Sequence, residues 1–219
     1  MARKRKPSGH RKGGGKGYRP RSTMKRSPGE RFLIVCEGEK TEPNYFNNFR
    51  LPGLIHVHAE GFGVSPPQLV EVALEMKRDS SRGRGQDPFD QIWCVFDRDD
   101  WTQSDFNSAI RQAENEGLKV AYSNQAFELW YLLHFHYYNS PMSRKDYENK
   151  LSELLGYPYS KNSSDMYDRL RSQQGMAVKN ARTLLKFYPN PRPASDNPST
   201  TVHILVEELN RFMLENRKN

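Results

Sequence analysis

Ile92-Trp93-Cys94-Val95-Phe96-Asp97-Arg98-Asp99-Asp100 sets five apolar residues directly before four charged ones. A short run that is apolar on both faces reads as a strand buried inside a parallel sheet. Phe32-Leu33-Ile34-Val35-Cys36 followed by Glu37-Gly38 repeats the pattern earlier in the chain. Ile55 to Glu60 and Leu118 to Tyr122 read as two further strands. Helical segments separate them. Thr41 is a candidate cap for the first, with Pro43 in its opening turn and Tyr45, Phe46 and Phe49 as the buried stripe. Pro66-Pro67 opens the second, which carries Leu69, Val70, Ala73, Leu74 and Met76. The third runs from about Ser104 to Glu116 and is closed by Gly117, and Asn124 leads into a fourth. Strands alternating with helices over short loops define an α/β fold with a mainly parallel sheet flanked by helices.

Beyond Asn139 the pattern turns helical. One stripe is Tyr147, Leu151, Leu154 and Leu155, and a second is Ala177, Val178, Ala181, Leu184 and Leu185. A third is Val202, Leu205, Val206, Leu209, Phe212 and Met213, with Ser199 or Thr200 as its cap. The chain therefore divides into a tail (1–29), an α/β domain (30–138) and a helical C-terminal extension packed on it (139–219).

The 219 residues carry 34 Lys+Arg against 26 Asp+Glu, a formal net charge of +8. Residues 1–29 hold 11 of the basic residues, among them Arg3, Lys4, Arg5, Lys6, Arg11 and Lys12, and no acidic one. The remainder is slightly acidic, so the high isoelectric point belongs to the tail. Rich in Gly, Ser, Pro and Arg, the tail has too little apolar surface to offset its ordering entropy and is expected to be disordered. Such an arm suits a nucleic-acid backbone, or serves as a solubilising or partner-contacting segment. No run of about 18 apolar residues is present, so no membrane span is expected. Cys36 and Cys94 lie in apolar runs without metal-ligand spacing. That excludes a disulfide scaffold and a structural zinc site, and points to a reducing cytoplasm.

In an open parallel sheet, ligands bind beyond the carboxyl ends of the strands. Glu37 follows the first strand; Asp97, Asp99 and Asp100 follow the third; Asn124 and Glu128 follow the fourth. Carboxylates crowded at one sheet edge repel one another, and burial adds to the cost. A hard divalent cation such as Mg²⁺ or Mn²⁺ relieves both, since carboxylate oxygens are its natural ligands. The bland alternative is that acids at strand-to-helix junctions favour helix N-termini. It suffices for Glu42 and Asp105 alone and weighs equally for Glu128. It is weaker for the Asp97-Asp99-Asp100 cluster. Phe127, Trp130, Tyr131 and His134 follow the spacing of a core-facing helical stripe. His134 and His136 fall on different helix faces and form no paired ligand. Lys40, Arg98 and Lys179 are candidate phosphate contacts.

Glu37-Gly38 after one strand and Asp97-Arg98-Asp99 after a later one resemble the Toprim pattern. Three longer stretches, Glu37 to Phe46, Asn124 to Phe135 and Asn197 to Val202, resemble the RloB family, a resemblance running from about Arg31 to Leu209. It implies a Toprim-like (Rossmann-like) fold and a metal-dependent nuclease. Glu37 would be the acid/base or metal ligand, Asp97 and Asp99 the metal pair, Asp100 an auxiliary, and Glu128 the completion of a second cation site. It also implies a genomic neighbour, an ABC-type ATPase (RloA-like), in anti-phage or abortive-infection loci. The expected function is thus Mg²⁺- or Mn²⁺-dependent phosphodiester hydrolysis in DNA or RNA. The alternative is a non-catalytic subunit that uses the fold as a docking surface for nucleic acid or the ATPase; a third reading is an RNA-binding accessory acting through the tail. Each is compatible with a homo-oligomer.

Overall fold

The structure, a computed structural model, describes residues 30–49, 51, 56–82 and 88–215. The tail of residues 1–29, with its six proposed nucleic-acid contacts, lies outside the described residues. Four parallel strands form the sheet: β1 (Arg31–Cys36), β2 (His56–Gly61), β3 (Gln91–Asp97) and β4 (Lys119–Asn124). A fifth, β5 (Ser199–Thr200), pairs antiparallel with β4, and the order is β2-β1-β3-β4-β5. The fold is therefore mixed α/β with a mostly parallel sheet, as the alternation requires.

Both apolar runs are fully interior. Phe32 to Cys36 and Trp93 to Phe96 are nearly inaccessible, because helices cover both faces. Leu33, Val35, Cys94 and Phe96 pack against α2 (Pro66–Ser81) and α3 (Gln103–Asn115) through Leu69, Val70, Phe106 and Ala109. Phe32, Ile34, Cys36 and Val95 face the opposite layer. It contains α1 (Thr41–Phe46), α4 (Glu128–Leu132), α5 (Arg144–Leu155), α6 (Met166–Leu170), α7 (Gln174–Leu185) and α8 (Val202–Glu215). The C-terminal helices thus share one core with the sheet, through Tyr147, Leu151, Ala177, Leu205 and Leu209. Cys36 and Cys94 are free and buried. Among the described residues no helix is long and apolar enough to cross a membrane.

Several local expectations change. Ser199 and Thr200 form the edge strand as well: Thr200 Oγ1 donates to the Tyr122 carbonyl at 3.0 Å and accepts from the N–H of Val202, the first residue of α8, at 3.2 Å, so the expected cap lies within the strand. Asn124 ends β4 rather than capping a helix, and its Nδ2 donates to the Pro193 carbonyl. Thr41 is the first residue of α1, and Lys40 before it makes no side-chain cap. The helix expected after Asn124 is confined to Glu128–Leu132, with Phe127, Trp130, Tyr131 and His134 buried.

The strand order fixes where a ligand belongs. From β1 the chain crosses to β2 on one side, and β3 then lies on the other. The topological switch point therefore falls between the carboxyl ends of β1 and β3.

Candidate functional site

Glu37 leaves β1 and Asp97 ends β3, so both stand at that switch point. Parallel pairing sets Cys36 beside Val95, and Glu37 N–H then donates to the Val95 carbonyl at 2.8 Å. The Glu37 carboxylate is gripped on both oxygens. Oε2 accepts from Asp97 N–H at 2.9 Å, and Oε1 accepts from the Trp101 indole N–H at 2.7 Å. Burial nonetheless raises its pKa.

Asp97 is more extreme. Oδ2 accepts from Phe127 N–H at 2.9 Å, while Oδ1 is buried with no hydrogen-bond partner. Burial, and then the charges of Glu42, Glu37 and Glu128, push its carboxyl well above the usual range. Asp99 sits in the turn after β3 at φ 36°, in the left-handed region that Asp tolerates better than most residues. Its Oδ2 lies 2.5 Å from Nη2 of Arg144, the first residue of α5.

Glu128 opens α4 and is 2% exposed; its Oε1 accepts from the Tyr159 hydroxyl at 3.0 Å. Glu42, in the first turn of α1, is 3% exposed, and its Oε1 accepts from Gly38 N–H at 3.3 Å. Burial raises the Glu42 carboxyl to about 7, with the charges of Glu128 and Glu37 adding to the effect. A Cβ at Gly38 would collide with the Glu42 carboxylate, so any larger residue there would displace that side chain.

These side chains line one cleft of about 430 Å³, together with Lys40, Trp101, Arg144, Lys161 and Asn162. The structure thus brings Glu37, Asp97, Asp99, Glu128 and Lys40 to one place. Asp100 is exposed and does not line the cleft. Arg98 is turned onto the chain itself: Nε donates to the Ala194 carbonyl at 3.2 Å, and Nη1 to the carbonyls of Asp99 and Trp101. It braces the loop after β3 and does not face the cleft. Among the described residues, no three His, Cys, Asp or Glu side chains are already drawn into a group that could hold a metal ion. The carboxylates stand around the cleft rather than in a closed cage.

Sequence reasoning placed Glu42 with the helix-start acids, although it matched the RloB strings; its distance of five positions from Glu37, across a glycine, was the available signal. Arg144 and Lys161 line the cleft from segments that carry no motif, Trp101 lines it just after the Asp97-Arg98-Asp99 motif, and Tyr159 supports the site through its hydrogen bond to Glu128.

A mostly parallel α/β fold with carboxylates around the switch-point cleft defines a class: an α/β protein with an acidic cleft at the sheet's carboxyl edge. Within it, the chain belongs to the RloB-like protein family, whose model matches residues 32–209. No curated protein and no solved structure matches the chain.

Proposed function

We propose that the chain is a divalent-metal-dependent nuclease that hydrolyses phosphodiesters in DNA or RNA. The observation that carries this is the Asp97 Oδ1 oxygen, buried and unpartnered among Glu37, Glu42 and Glu128. Buried polar atoms are nearly always satisfied, and an orphaned carboxylate oxygen among other carboxylates is best satisfied by a cation. The donor set is all oxygen and strongly anionic, which fits Mg²⁺ or Mn²⁺ rather than a softer metal. Glu37, Asp97 and Asp99 would hold the ion, with Glu128 available to a second. Bound there, it would supply charge neutralisation on phosphoryl oxygens and activation of a water.

The chain's own groups prepare that chemistry. Phe127 N–H fixes the orientation of Asp97, leaving Oδ1 the oxygen without a partner. Asp97 N–H and the Trp101 indole fix Glu37, so little side-chain reorganisation is left for the reaction itself. The E-G and D-x-D motifs after β1 and β3 support a Toprim-like reading of this geometry. RloB-like membership supports a role in anti-phage defence with an ABC-type ATPase partner.

The test is cleavage of DNA and of RNA by the full chain, with and without the ATPase, in Mn²⁺ or EDTA. Cleavage is expected in Mn²⁺, to vanish in EDTA, and to be lost in Asp97→Asn. Mn²⁺ should also raise the parent's melting temperature by mass action, by about 2.7 kcal/mol of stability at a hundredfold excess over Kd. The Asp97→Asn variant should not respond. No Mn²⁺ stabilisation and no metal-dependent cleavage would sink the reading.

A further inference from the structure

The cleft that would receive a phosphodiester is lined by Glu37, Glu42, Asp97, Asp99 and Glu128. An anion approaching it meets repulsion unless the protein supplies cations of its own. Three basic side chains line it: Lys40, Arg144 and Lys161. Lys40 is exposed beside Glu39 on the loop after β1. Lys161 Nζ stands 3.6 Å from Glu148, at ion-pair distance. Arg144 is paired within the carboxylate set itself, with Nη2 on Asp99.

Arg144 is also incompletely satisfied. Its Nε is buried without a hydrogen-bond partner. A guanidinium offers five N–H donors in a planar fork that matches a phosphate on two oxygens at once. Its backbone is anchored. Ser143 and Asp146 form a reciprocal capping box, with Asp146 N–H donating to Ser143 Oγ at 3.2 Å and Ser143 N–H to Asp146 Oδ2 at 3.0 Å. Tyr147, one turn on, is fully buried. The helix start is therefore rigid, and the guanidinium is delivered to a fixed place.

We infer that Arg144 is the phosphate anchor of the cleft, with Lys161 and Asn162 beside it, and that Asp99 holds it there until the nucleic acid arrives. This rests on the nuclease reading for the identity of the ligand. It assigns the two halves of the site to different parts of the chain. The sheet edge and the first turns of α1 and α4 supply carboxylates, while α5 and the turn before α6 supply the donors that recognise phosphate. It also accounts for a cleft that attracts a polyanion although the body is slightly acidic.

The experiment measures binding of a short fluorescent oligonucleotide, as DNA and as RNA, to the full chain in EDTA over a range of salt. Parent, Arg144→Gln and Arg144→Lys are compared; the basic tail contributes equally to all three and cancels in the differences. Loss of a charge-assisted contact should weaken binding by Arg144→Gln about tenfold. The slope of log affinity against log salt should shrink by about one. Arg144→Lys should keep the slope while losing part of the affinity, because a point charge replaces the fork. If Arg144 merely neutralises Asp99, Arg144→Lys, which keeps the charge, binds as the parent does, and the anchor is overturned. Arg144→Lys keeps the charge beside Asp99, so an effect of folding alone would show as a lowered melting temperature in Arg144→Gln with an unchanged slope; that also overturns it. Mn²⁺ titration of the parent reports on the nuclease reading separately. Mn²⁺ binding with an unchanged slope leaves the metal site standing and removes the anchor. A reduced slope without Mn²⁺ binding does the reverse.

Discussion

Glu42 shows what a single buried carboxyl does to the whole chain's pH response. Burial first, and then Glu128 and Glu37, raise it from 4.5 to about 7. The folded protein thus keeps a proton that the unfolded chain has already released. Folding binds a proton at Glu42 over that interval, so Glu42's contribution to metal-free stability falls as pH rises from about 4.5 to about 7, while His134 and His203, lowered by burial to about 4, contribute in the opposite direction. A tenfold change in proton affinity is about 1.4 kcal/mol, which makes Glu42's share on the order of 3 kcal/mol. Asp97 pulls in the same direction. Relative to Glu42→Gln, the parent's melting temperature should therefore fall over this window, in melts with EDTA. Parallel pH profiles for the parent and Glu42→Gln would contradict the burial. Glu37, Asp97 and Asp99 were legible in the sequence because Glu37 and Asp97 directly follow apolar runs and Asp99 stands two residues on. Glu42 was not, because an acid beside Pro43 in a helix's first turn is what an ordinary helix start looks like. Arg144 was not legible either: it follows a capping serine, and only the packing of α5 brings it to Asp99.

At the scale of elements, α1 holds Glu42 in place, yet six residues are too few for a helix to persist alone. Its stability comes from Tyr45, whose ring meets those of Phe46, Phe49, Phe127, Trp130, Tyr131 and Tyr167 within 6.4 Å. The hydroxyl accepts from Gln174 Nε2 at 3.1 Å, tying α1 to α7. Tyr45→Ala should cost about 3–5 kcal/mol. Tyr45→Phe should cost about 1 kcal/mol, the net value of one hydrogen bond. Urea denaturation checks both. The alanine variant should also lose the pH dependence attributed to Glu42, because the carboxyl is no longer buried. The strands β1 and β3 could be read from their continuous apolar runs. The edge strand β5 could not, because two polar residues carry no periodicity and are ordered by Tyr122 and Ser123 across the sheet. The same holds for α6, five residues that become a helix in contact with α1.

Across the whole molecule, charge is divided by role. Carboxylates gather at the switch point, two of the three cleft-lining cations come from α5 and the turn before α6, and 11 basic residues lie in residues 1–29. An arm of that composition acts through phosphates without reading bases. Each residue engaged on a phosphate adds about 0.7–0.9 to the slope of log affinity against log salt. If about a third of the arm's 11 basic residues engage, the slope steepens by about 3. Deleting residues 1–29 should remove that increment and weaken binding most at low salt. The melting temperature and its response to Mn²⁺ should stay as in the parent, since no carboxylate of the cleft belongs to the arm. Combined with Arg144→Gln, the deletion should lower the slope by the sum of the two separate changes, because arm and cleft would hold different phosphates. The arm would prove to be a solubiliser or a partner contact if truncation left the slope where it was. A combined loss smaller than that sum would mean that arm and cleft compete for the same phosphate.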